Sequence, residues 1–165
     1  MNWHDLTKFD RKVSRMKTKL LILMAIPLAF YACKKDTYTT KPQISIKEIN
    51  KKVLTPGDLL LFQVQFTDAE GDIQDTLWIQ KVSRVCPTTP GAQFVTKYKV
   101  PDFTPIKNIK GVLEVGFGYN SSNGNYSSIA GCGIRNDTCY FKFWLKDKAN
   151  NISDTISTEN IVLLK

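Results

Sequence analysis

Between Thr138 and Lys146 the chain alternates strictly: Cys139, Phe141, Phe143 and Leu145 fall on one side, and Tyr140, Lys142, Trp144 and Lys146 on the other. Successive side chains of an extended chain point to opposite faces, so this stretch predicts a strand with one face in a core. The same period of two recurs upstream, where Leu60, Phe62, Val64 and Phe66 alternate with Leu61, Gln63 and Gln65. Shorter candidates are Ile44 to Ile49, Ile73 to Val85, Phe94 to Val100, Gly111 to Phe117 and Ile152 to Leu164. Turn-forming clusters separate them: Thr55-Pro56-Gly57-Asp58, Asp68-Ala69-Glu70-Gly71-Asp72, Pro87 with Pro90 and Gly91, and Asp147-Lys148-Ala149-Asn150-Asn151. Nothing carries the period of a long amphipathic helix. Seven short strands at about 8–12-residue spacing predict an all-β fold, a single antiparallel β-sandwich over residues 43–165.

The N-terminal part has another character. Leu20 to Ala32 (LLILMAIPLAFYA) is a nearly apolar run behind Lys17 and Lys19. It is too short to cross a bilayer, which takes about 20 apolar residues. It fits the apolar region of a secretory signal, about 7–15 residues between a basic start and a small-residue cleavage site. Residues 1–32 are therefore expected to be removed, leaving Cys33 as the first residue of the mature chain. Met16-Lys17-Thr18-Lys19 already forms a complete short basic start, which makes Met16 the expected initiator. Residues 33–42 then read as the cysteine plus a polar tether ending in Pro42.

Two resemblances follow from these residues. Phe30-Tyr31-Ala32-Cys33 resembles the lipobox of bacterial lipoproteins, Leu-(Ala/Ser)-(Gly/Ala)-Cys. The small residue before the cysteine matches, whereas Phe30 and Tyr31 depart from the pattern. With Lys34-Lys35-Asp36 behind it, the box is similar to those of Bacteroidota-type envelope lipoproteins. That resemblance implies lipidation of Cys33, and two or more acyl chains hold a protein stably on a membrane where one does not. It places the chain in the cell envelope, on the outer membrane. The domain itself resembles immunoglobulin-like modules of bacterial surface proteins, through the DAEGD turn at residues 68–72 and the closing hairpin from Phe143 to Ser153. It lacks the Cys…Trp…Cys spacing of antibody domains.

The formal charge of +8 is partly the signal's own. Beyond residue 32 the chain carries 17 basic and 13 acidic side chains, a net +4, with no cluster suited to nucleic acid. The one histidine, His4, lies in the segment expected to be removed. A mature chain without histidine cannot run Ser-His or Cys-His nucleophilic chemistry or hold a His-ligated zinc. Three cysteines remain after lipidation: Cys86, Cys132 and Cys139. Export favours a disulfide among them. Cys132 with Cys139 would close a short loop, and Cys86 with either one is the competing arrangement.

Three constellations carry possible chemistry. Asp68, Glu70 and Asp72 crowd three carboxylates into one turn, a composition that suits Ca²⁺ although the spacing is not that of an EF-hand. A plain surface turn, with Asp68 capping amides and Gly71 at positive φ, accounts for the same residues. Gly118 to Gly133 is rich in Gly, Ser and Asn and carries Tyr119 and Tyr126, the composition of an adaptable binding loop or of a simple connection. Tyr140 and Trp144 share the outward face of the late strand, where aromatic rings stack on sugars or merely pair across strands.

The expected role is a non-enzymatic, lipid-anchored envelope protein whose sandwich binds or displays. Its expected partners are the membrane, through the acyl chains, and a glycan or an envelope protein. An accessory carbohydrate- or partner-binding subunit of an outer-membrane uptake complex is the first rival. A carboxylate-dependent hydrolase using Asp68, Glu70, Asp72 or Glu114 is a remote one, because acid–base work needs a water-excluding pocket.

Overall fold

The computed structural model describes residues 38–121 and 126–165. The signal segment, Met16 and Cys33 lie outside the described residues. The strands are β1 (Gln43–Ile49), β2 (Val53–Leu54), β3 (Leu59–Asp68), β4 (Thr76–Ser83), β5 (Phe94–Lys99), β6 (Ile109–Tyr119), β7 (Ser127–Ile129), β8 (Asp137–Lys146), β9 (Ile156–Ser157) and β10 (Ile161–Leu163). They form two sheets, one ordered β1-β3-β6-β7 and the other β2-β10-β8-β4-β5, with β9 also on β8. No helix occurs among the described residues.

The alternating pattern is what joins the sheets. Leu60, Phe62, Val64 and Phe66 of β3 face Cys139, Phe141, Phe143 and Leu145 of β8, and all eight are buried. The Phe62 ring lies 4.9 Å from that of Phe141 and 5.1 Å from that of Phe143, centroid to centroid. Phe117 of β6 completes the cluster at 5.8 Å from Phe141. Truncating one such ring to Ala costs about 3–5 kcal/mol. The fold is thus an all-β sandwich.

Two details depart from the expected seven antiparallel strands. The long central pairs β3–β6, β4–β8, β1–β3 and β4–β5 are antiparallel, but the edge pairs β2–β10 and β6–β7 are parallel. The closing run also divides into β9 and β10. The Thr158 hydroxyl there accepts the Phe141 amide at 3.0 Å, where a strand would offer a backbone carbonyl. A side chain satisfying that donor lets the chain leave the ladder and return.

The disulfide joins Cys86 to Cys132, whose Cα atoms lie 5.7 Å apart. The Cys132–Cys139 alternative is corrected, and Cys139 is a free, buried thiol. The reason is orientation: Cys139 points into the core from β8, whereas Cys86 and Cys132 occupy the loops after β4 and before β8. Burial pushes the Cys139 thiol up to about 12.

Candidate functional site

Trp144 stands on the outward face of β8, directly across from Trp78 of β4. The two indoles are parallel to within 4°, with centroids 5.9 Å apart. The register continues the row to Lys97 of β5, whose ammonium lies 5.6 Å from the Trp78 ring. Tyr140, two places back along β8 from Lys142, has Arg84 at 4.8 Å and Lys142 at 5.9 Å from its ring. The outward face of the six-stranded sheet is therefore an aromatic strip with cations between its rings. Lys146 and Lys99 are partnered by Asp75 and Asp102. Lys97, Lys142 and Arg84 form no ion pair among the described residues. Sequence reasoning found Tyr140 and Trp144 and missed Trp78. Its outward position follows from Leu77 and Ile79 facing inward, but the register that sets it beside Trp144 is not in the sequence.

The two loop tyrosines separate. Tyr126 is partly exposed and lines a cleft of about 260 Å³ with Tyr98, Leu113 and Glu114, at the open edge between β5 and β6. Tyr119 does not belong to a binding loop. It is the last residue of β6, 3% exposed, and its hydroxyl donates to the Leu164 carbonyl at 2.7 Å. Burial raises its phenol pKa above the ordinary value. Its expected role as a ligand contact is corrected, because the alternating pattern of β6 carries it into the core.

At the far end of the sandwich the carboxylates regroup. One oxygen each from Asp68, Asp72 and Asp147 lie within 4.8 Å of one another. Asp68 and Asp147 are wholly buried. Gly71, at φ +76°, turns the chain so that its amide donates to Asp68 Oδ2 at 2.6 Å, with the Asp72 amide behind at 3.3 Å. A side chain at Gly71 would strike the Ile106 backbone. Asp147 opens the β8–β9 hairpin, its Oδ1 accepting the Asn151 amide at 2.7 Å and its Oδ2 the Asn151 side-chain amide at 2.9 Å. Burial raises the pKa of Asp68, against the pull of the two amides. Glu70, expected beside Asp68 and Asp72, is exposed and accepts the Thr40 hydroxyl at 3.1 Å. It is corrected out of the group, since the turn at Gly71 directs it to solvent. Asp147 takes its place, and the sequence signal for it, the DKANN hairpin, read only as a turn.

Glu114 is exposed on β6 opposite Gln63, whereas Asp68 pairs with Ile109 at the strand's end. That separation leaves Glu114 without a partner carboxylate from the acidic group.

No protein-family model matches this chain, and no curated protein matches it. Among solved structures it is similar to Spo0M, the sporulation control protein from Bacillus subtilis, at a TM-score of 0.40 and 8% identity. The match covers 77% of this chain and 51% of Spo0M, so the chain spans about half that protein's length. A likeness of that size carries no argument about function.

Proposed function

We propose that the chain is a lipid-anchored, non-catalytic binding domain of the bacterial envelope. Acyl chains on Cys33 hold it on the outer membrane, and the Trp78–Trp144 face meets an acidic glycan. The parallel indole pair carries this reading. A solvent-facing aromatic strip gives a sugar ring apolar area to lie against. Lys97, Lys142 and Arg84, which form no ion pair among the described residues, attract uronic or sulfated residues. The immunoglobulin-like character remains part of the proposal, as does membership of the Bacteroidota-type lipoproteins. A subunit of an uptake complex fits the same face.

The test is affinity electrophoresis of the full chain through gels holding neutral or acidic polysaccharides. The expected result is retardation by an acidic polysaccharide, weakened about two- to tenfold by Trp144→Ala, since one aromatic contact contributes on the order of 0.5–1.5 kcal/mol. Retardation that Trp144→Ala and Trp78→Ala leave unchanged removes this face from the function. Free passage through every gel removes the glycan.

A further inference from the structure

Three carboxylates gathered at one buried point need an explanation that a surface turn does not supply. Like charges this close repel strongly once water is excluded. No lysine or arginine of the described residues pairs with Asp68, Asp72 or Asp147. Among the described residues, Oδ1 of the wholly buried Asp68 has no hydrogen-bond partner, nor has Oδ1 of Asp72. Gln74, 1% exposed, donates its amide nitrogen to the Gly71 carbonyl at 3.1 Å and to the Phe103 carbonyl at 3.2 Å, while its side-chain oxygen has no partner among the described residues. Buried acceptors are almost always satisfied, so orphan oxygens on two members of one carboxylate group point to something that binds there.

We propose that Asp68, Asp72 and Asp147 form a Ca²⁺ site that ties the two sheets together. Two oxygens bound to one Ca²⁺, each at about 2.3–2.6 Å, are at most about 5 Å apart. The observed limit of 4.8 Å satisfies that bound for all three pairs. An all-oxygen set without nitrogen or sulfur selects a hard cation over zinc or copper. Calcium is favoured over magnesium because the donors come from an irregular turn and a distant hairpin, and magnesium demands a near-ideal octahedron.

The site has a consequence for the chain that leads into the domain. The Asn151 side chain that bonds Asp147 also donates to the Thr40 carbonyl at 3.3 Å, and the Ala69 amide donates to Thr39 at 3.1 Å. The Lys148 amide meets the Asp72 carbonyl at 2.9 Å. Filling the site therefore fixes residues 39–41 against the DAEGD turn and stiffens the entry to the sandwich. None of this rests on the glycan reading.

The experiment uses the full chain in detergent, stripped with chelator and titrated in parallel with CaCl₂ and MgCl₂. Thermal unfolding gives the midpoint, calorimetry the affinity, and hydrogen exchange follows the Ala69 and Asn151 amides. Calcium at about a hundredfold excess over Kd is expected to raise the midpoint by roughly 8 °C. Exchange at both amides slows, and magnesium binds at least about tenfold more weakly. Asp147→Asn loses the calcium response. Should that variant misfold, Asp72→Asn serves, because the Asp72 side chain makes no hydrogen bond among the described residues that the change would remove. It is expected to be more stable than the stripped wild type while ignoring calcium, since it removes one repelling charge. An unchanged midpoint in about 5 mM calcium, well above the affinity of extracellular calcium modules, overturns the site. A calcium response that survives in Asp72→Asn, or an equal response to magnesium, overturns the assignment as stated.

Discussion

The ammonium of Lys81 lies 2.9 Å from a carboxylate oxygen of Asp137, and both side chains are wholly buried. Lys81 also donates to the Ala92 carbonyl at 2.6 Å, and the Ser83 hydroxyl donates to the second Asp137 oxygen at 2.6 Å. The pair sits at the disulfide end of the sandwich, with Ser83 in contact with Cys86. Breaking a buried pair from one side strands a charge. Lys81→Met or Asp137→Leu alone is therefore expected to lower unfolding free energy by about 3–5 kcal/mol, while the double variant recovers most of it. Urea unfolding of the four proteins checks this; two single losses that simply add in the double variant would contradict the pairing.

The Cys86–Cys132 bridge spans a sequence separation of 46. Closing a loop of that size stabilises by about 4 kcal/mol in the chain-entropy account. Reductant is expected to lower the denaturant midpoint accordingly, and a non-reducing peptide map to join the Cys86 and Cys132 peptides. A map joining Cys132 to Cys139 would contradict the fold at this end.

Cys139 is expected to ignore thiol reagents in the native protein and to react once after denaturation. Its thiol is 0% exposed and titrates at about 12, so at about pH 8 almost none is the reactive thiolate. The sign for stability follows. The folded value lies above the ordinary 9.0, so this group's contribution is complete below about pH 9 and is lost as the pH rises toward 12. Cys139→Ala is expected to flatten that alkaline decline. Prompt labelling of the native protein would contradict the burial.

Period-two alternation makes β3 and β8 legible because four successive inward positions of each are apolar, Leu60 to Phe66 and Cys139 to Leu145, with a buried carboxylate only at one end. β4 was harder to read at its inner end, where Lys81 and Ser83 occupy inward positions that composition assigns to solvent. Asp137, distant in sequence, together with the Ala92 carbonyl and the Cys86 amide, satisfies them there. The acidic group shows the same limit. Asp68 and Asp72 announced themselves by proximity in sequence, but Asp147 reaches them through sheet packing, and no local pattern encodes that. Tyr119 and Tyr126 sat in one Gly/Ser-rich stretch, and where β6 ends decided which one was buried.

We propose that this sandwich, lipid-anchored and held by one internal bridge, reaches the envelope. The most direct test is the intact mass of the protein extracted from bacterial membranes, with and without reductant. The expected mass is that of residues 33–165 plus two or three acyl chains, gaining about 2 Da on reduction of the Cys86–Cys132 bridge. An unmodified full-length chain whose mass reductant does not change would contradict both the anchor and the compartment.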